Sequence, residues 1–187
     1  MIDTNAIRLI EAQARCLHPG HDVDEMIVGL GSQITEQFQD MNPIVLCIMT
    51  GGLVFCGKLL PHLNFPMEFD YAHATRYNDD VEGSILEWRA LPTRNLKGRH
   101  ILIVDDIFDV GHTLAGVVES CKAQGALSVS TAVMVNKNHN RKHDAEFKAD
   151  FVGFETGDYY LFGYGMDYKG YLRNAPGIFS VSEDETK

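Results

Sequence analysis

Residues 101–114 read Ile-Leu-Ile-Val-Asp-Asp-Ile-Phe-Asp-Val-Gly-His-Thr-Leu, and few backbones accommodate that order. The aliphatic run 101–104 marks a strand buried on both faces. Asp105 and Asp106 sit at its carboxyl end, in what reads as an acidic loop, and Asp109 follows. Gly111 and Thr113 then open a helix expected over 114–124, with Gly125 as its stop. Backbone amides after Asp109, the Thr113 hydroxyl and a positive helix end suit a phosphate. Carboxylates cannot bind phosphate; they suit hydroxyls, a divalent cation or a proton. An acid pair beside a phosphate cradle therefore points to a sugar phosphate, with hydroxyls on one side and phosphate on the other.

The flanking sequence repeats this grammar. Residues 44–49 (IVLCIM) form a second apolar strand, ended by Thr50-Gly51-Gly52 and followed by a short helix over 53–60 that Pro61 stops. Residues 67–76 read as a strand, 77–83 as a polar, acidic, mobile loop, and 84–90 as a return strand. Residues 128–136 form another apolar strand, and 151–154, 160–164 and 178–181 are shorter candidates. The first 40 residues read as helical. Ile7, Ile10, Ala14 and Leu17 share one face; Ile27, Leu30, Ile34 and Phe38 share another, after a cap at Asp22 or Asp24. A turn at His18-Pro19-Gly20 separates them. Strand, loop, helix, strand in this order is the βαβ pattern of a parallel α/β sheet. Ligands of such sheets sit outside the carboxyl ends of the strands, so the loops after Met49, Val104 and Asn136 should converge.

A chain of 187 residues suits one domain, 1–187. Its charge, −10, argues against a partner held mainly through nucleic-acid backbone. The aliphatic runs are too short to span a bilayer, and Met-Ile-Asp-Thr-Asn lacks the basic start of a leader, so the expected compartment is the cytoplasm. Cys16, Cys47, Cys56 and Cys121 form no CxxC pair and read as buried free thiols. His139 and His143 fall in a charged stretch and read as surface residues.

The segment VDDIFDVGHTL resembles the diphosphoribosyl-binding signature of type I phosphoribosyltransferases. Lys137, then Asp150-Phe-Val-Gly-Phe-Glu155, Gly163-Tyr-Gly-Met-Asp167-Tyr and Tyr171-Leu-Arg173, follow in the order seen in the 6-oxopurine branch, the hypoxanthine-guanine phosphoribosyltransferases. The resemblance runs over about residues 40–181. It implies a central, mostly parallel sheet flanked by helices, with a small hood subdomain drawn from both ends of the chain and a flexible catalytic loop.

The resemblance also implies roles. Asp105 and Asp106 would hold the ribose hydroxyls, with or without Mg²⁺. Asp109 would take or share the proton at purine N7. Val110, Gly111, His112, Thr113 and Leu114 would wrap the 5-phosphate. Lys137 would donate to the purine O6, Tyr160 would stack on the base, and Leu161 would meet its pyrimidine edge through the backbone. Asp167 would bind the metal, and Arg173 the pyrophosphate. Thr50, Gly51 and Gly52 match the pyrophosphate loop, which in the family holds a non-proline cis peptide. Arg76 and Tyr77 match the start of the mobile loop. Three positions depart from the common pattern: Thr50 where a basic residue is frequent, Arg76 where Ser is common, and Val110 where a hydroxyl is usual. The implied reaction moves a phosphoribosyl group from 5-phosphoribosyl 1-diphosphate to hypoxanthine or guanine, giving IMP or GMP, in a homodimer or homotetramer with neither nucleic acid nor membrane as partner. The competing expectations are a xanthine-preferring enzyme and a nucleotide-sensing regulator on the same fold.

Overall fold

The alternating apolar runs emerge as alternating strands and helices in the computed structural model, which describes residues 3–76 and 86–181. In chain order these are α1 (Thr4–Gln13), β1 (Arg15–Pro19), α2 (Gly20–Phe38), β2 (Ile44–Ile48), α3 (Gly52–Leu59) and a 3₁₀ turn (Leu60–His62). There follow β3 (Glu68–Arg76), β4 (Leu86–Ala90), β5 (His100–Phe108), α4 (His112–Ala123), β6 (Ser128–Lys137), β7 (Phe151–Thr156), β8 (Leu161–Phe162) and β9 (Gly177–Ser180). The acidic loop expected over 77–83, Tyr77 included, lies outside the described residues, as does the side chain of Arg76.

Six strands form the main sheet in the order β4-β3-β2-β5-β6-β7. All neighbours are parallel except β4, which returns antiparallel to β3. The side-chain period of two divides the sheet's apolar residues between two layers. Val45, Cys47, Leu102, Val104, Ala132 and Met134 pack with the α2 face of Ile27, Leu30, Ile34 and Phe38 and with Phe55 of α3. Ile44, Leu46, Ile48, Ile101, Ile103 and Val133 pack with Leu114, Val117 and Cys121 of α4. Each fully buried side chain of this size contributes roughly 1.5–3 kcal/mol over its exposed state.

A second, three-stranded sheet, β1-β9-β8, joins the two ends of the chain. Here the structure corrects the sequence reading. Residues 15–19 are a strand, not helix and turn, because Arg15 pairs with Ser180, Cys16 with Phe179 and His18 with Ile178. Consequently Leu17 leaves the face of Ile7 and Ile10, and Cys16 is exposed rather than buried. Neither Asp22 nor Asp24 caps α2, which starts at Gly20 with no side-chain cap. Asp24 instead accepts from Lys58 Nζ at 2.6 Å and from the Tyr164 hydroxyl at 2.6 Å, tying α2 and α3 to the C-terminal segment. Pro61 does not end its helix abruptly but sits inside the 3₁₀ turn that continues α3. Among the described residues no helix is long and apolar enough to cross a membrane.

Candidate active site

The expected acidic loop after Val104 is strand. β5 continues to Phe108 because β6 still pairs with it, Asp105 opposite Val133 and Phe108 opposite Asn136. Its register with β2 stops at Cys47 and Val104. β2 leaves the sheet at Met49–Thr50, a non-proline cis peptide as the resemblance implies, and turns into α3. One side of β5 is thus vacated at its carboxyl end, which is where a parallel sheet opens a crevice.

A cavity of about 410 Å³ fills that crevice. It gathers Gly51, Asp105, Asp106, Asp109, the whole stretch from Val110 to Leu114, Asp167 and Arg173. Gly51 must be small, since a Cβ there would run into the Asp106 carboxylate. Gly111, at φ +94°, turns the chain into α4. A second pocket of about 280 Å³ adjoins the first through Asp106, Ile107, Asp109 and Asp167, and adds Lys137, Tyr160, Leu161 and Met166. Ile107 and Met166 were not anticipated. Thr50 and Gly52 line neither space: Thr50 is exposed, and Gly52 is buried under the Val104 carbonyl. The expected site residues within the described part of the chain therefore converge, apart from these two.

The charges are arranged unevenly. Burial, then the neighbouring Asp106 charge, push the Asp105 carboxyl well above the usual carboxylate range. Burial also raises Asp106, against the hydrogen bond with Asp105 and the positive Arg173. Arg173 Nη2 lies 2.6 Å from Asp167 Oδ1, and its Nη1 donates to the Gly165 carbonyl. A carboxyl raised in the folded state favours folding below its unfolded value, about 3.9. That contribution is lost as pH rises through the folded value, so at neutral pH the pair opposes folding. Asp105→Asn should therefore stabilise the ligand-free protein at pH 7 by about 0.5–2 kcal/mol. Thermal unfolding at pH 7 and at pH 4 checks this; the gain should vanish at the lower pH, and a loss at pH 7 would refute it.

Asp109 is placed differently. Burial pulls its carboxyl upward, but the hydrogen bond and charge of Lys137, then the hydrogen bond of His139, outweigh it and hold the group below the ordinary range. Lys137 Nζ is 2.8 Å from Oδ2, and His139 Nε2 is 2.6 Å from Oδ1. His139 is not the surface residue that its charged neighbours suggested, since its side chain is only 4% exposed. Asp109, His139 and Asp158 bring ligand atoms within 4.8 Å of one another, a spacing that could hold a metal ion. Lys137 and Arg141 already neutralise that cluster: Arg141 Nη2 bonds both Asp158 oxygens, at 2.6 and 2.7 Å. Tyr160 stands 39% exposed at the pocket rim, edge-on to Tyr168 with ring centroids 5.4 Å apart.

Residues 17–169 match the family model described as "Phosphoribosyl transferase domain". The hypoxanthine-guanine phosphoribosyltransferase of Bacillus subtilis (strain 168) is 33% identical over 170 residues, covering 84% of this chain and 93% of that protein. The hypoxanthine-guanine-xanthine phosphoribosyltransferase of Tritrichomonas foetus is 31% identical over 170 residues, 90% of this chain and 92% of that protein. Among solved structures, a hypoxanthine-guanine-xanthine phosphoribosyltransferase superposes with a TM-score of 0.81 at 29% identity, over 90% of this chain and 97% of that one. The buried acid pair, the helix-capped loop behind it and the lysine-aromatic pocket beside it are thus those of a chain that belongs to the phosphoribosyl transferase family, in its hypoxanthine-guanine branch.

Proposed function

We propose that this chain transfers the phosphoribosyl group of 5-phosphoribosyl 1-diphosphate to hypoxanthine or guanine, yielding IMP or GMP and pyrophosphate. One observation carries the reading: a cavity lined by acids and a helix N-terminus adjoins a lysine-aromatic pocket, and Asp106, Asp109 and Asp167 are common to both. A sugar phosphate suits the first space and a purine the second, with the reacting bond at their junction. N9 of the base bonds to the anomeric carbon as the bond from that carbon to the diphosphate oxygen breaks. Asp109 receives the proton at N7, which an ionised carboxylate can do. Lys137 donates to O6, Tyr160 stacks on the ring and Leu161 borders its pyrimidine edge. Val110 to Leu114 hold the 5-phosphate through amides at the start of α4. Asp105 and Asp106 hold the ribose hydroxyls, while Arg173 and Gly51, the one residue of the Thr50-Gly51-Gly52 turn that lines the cavity, serve the leaving diphosphate.

The all-oxygen donor set of Asp105, Asp106 and Asp167 fits Mg²⁺, which takes carboxylates together with substrate oxygens. The like charge crowding Asp105 and Asp106 supports that fit, because a divalent cation beside the pair relieves it. When bound, Mg²⁺ would neutralise charge developing on the diphosphate. The whole chain would act as one domain. Its second sheet would form a hood over the base pocket, and two or four copies would assemble in the cytoplasm.

Steady-state turnover with saturating diphosphate and Mg²⁺, offering hypoxanthine, guanine, xanthine and adenine in parallel, tests the reading. Turnover of hypoxanthine and guanine is expected. Xanthine belongs in the panel because the Tritrichomonas relative is named for it as well. No turnover of any base with the diphosphate still bound would point instead to a sensing protein on this fold.

A further inference from the structure

Nothing in the reaction scheme above uses His139, yet it is among the least exposed polar side chains of the site. Its 4% exposure contrasts with Asn138 and Asn140, which are exposed on either side. The Arg141 amide donates to His139 Nδ1 at 3.1 Å. A nitrogen that accepts carries no proton, so in the neutral ring the proton is on Nε2. That Nε2–H points at Asp109 Oδ1, 2.6 Å away. The histidine is therefore a donor of fixed tautomer whose orientation the backbone sets.

The segment carrying it is clamped to the same loop. Lys142 Nζ donates to the Phe108 carbonyl at 2.7 Å, and the His143 amide donates to the Val110 carbonyl at 2.8 Å. The residues on either side of Asp109 are thus held by the stretch that also supplies its side-chain partner. Lys137 occupies the other Asp109 oxygen at 2.8 Å, although the proposed chemistry assigns that lysine to the purine O6. One cation cannot serve both at full strength.

We infer that His139 is a positioning residue for Asp109: it holds one carboxylate oxygen so that Lys137 can leave the other for the purine without the carboxylate turning away. The inference rests on the proposed base transfer and deepens it. Division of labour between the two donors explains why a buried imidazole belongs here, since a second lysine would compete for the same purine oxygen.

His139→Leu and His139→Gln test it, with hypoxanthine and guanine as substrates. Gln presents an N–H near the position of Nε2; Leu has none. Loss of orientation at a reacting group costs up to about 10²-fold, so Leu should lower kcat by about 10–100-fold. KM for the diphosphate should stay within about twofold of the parent, because His139 contributes nothing to that cavity's lining. Gln should recover most of kcat. The acid limb of kcat/KM supplies a second readout. Lys137, His139, Arg141 and Lys142 face Asp109 as donors or cations, and Asp158 as an anion. Removing one donor should move the acid limb to higher pH in Leu but not in Gln. Parental kcat in the Leu variant overturns the inference. So does an equal loss of kcat and of thermal midpoint in both variants, the mark of a purely structural role. A parent inactive with every base overturns the transfer reading itself and this inference with it.

Discussion

Asp109→Asn should lower kcat with hypoxanthine and guanine by about 10²–10³-fold, the scale on which a positioned proton acceptor contributes. Asp109 stands where the two pockets meet and is common to both linings. Lys137 and His139 overcome the effect of burial and keep it ionised well below neutral pH. It is therefore a base at the pH where the enzyme works, in contrast to Asp105, whose burial and neighbour favour the protonated form. Asn has nearly the same shape but cannot take the N7 proton, and its amide nitrogen would meet a lysine or histidine donor. Binding of the diphosphate should survive, because its proposed partners lie elsewhere in the cavity. A titration with the diphosphate alone, run beside the kinetics, separates lost chemistry from lost binding. A fall in kcat below about threefold would remove Asp109 from the reaction. In the parent, acidification should depress kcat/KM as Asp109 protonates, below the ordinary carboxylate range.

The site was legible in the residue order because its central element is local. An apolar strand, an acid pair, Asp109, a glycine and a helix start follow within 14 residues, and no distant partner is needed to read them. What could not be read depends on partners far along the chain. β1 exists only because residues 15–19 meet residues 177–180. Helical periodicity before that point contains no sign of the pairing. The extension of β5 through the acids likewise depends on β6, whose register continues after β2 has left. His139 is an intermediate case. Its charged neighbours suggest a solvated loop, yet the ladder runs one residue past β6, with the Asn138 amide bonded to the Thr156 carbonyl at 2.7 Å. Period-two alternation carried past Lys137 places residues 137 and 139 on one side. Applying that period through the charged stretch would have found the second donor on Asp109.

A large structural effect is expected at Gly165, and glycines elsewhere in the chain separate its causes. At Gly165, φ is +108°, and an added Cβ would run into the Gly51 carbonyl. The residue also lies between the Thr50-Gly51-Gly52 turn and Arg173: its amide donates to the Arg173 carbonyl at 2.9 Å, and its own carbonyl accepts from Arg173 Nη1. Gly165→Ala thus combines an unfavourable backbone conformation, about 1–2 kcal/mol, with overpacking against backbone, about 1–3 kcal/mol. For a chain of this size about 2–5 kcal/mol corresponds to a fall in thermal midpoint of roughly 4–20 °C. Gly170 has φ +89° but open space around it, so Gly170→Ala should show the conformational part alone. Gly29 lies in α2 with nothing near it and no unusual φ, so Gly29→Ala should be neutral or stabilising by about 0.5–1 kcal/mol. If close packing of the 163–173 segment on the Gly51 turn positions Arg173, the Gly165 variant should also show a raised KM for the diphosphate. That rise should be present at temperatures well below its midpoint, while the other two variants keep the parental value. Equal destabilisation at Gly165 and Gly170 would mean that the Gly51 turn yields freely, and that the two segments are not mechanically coupled.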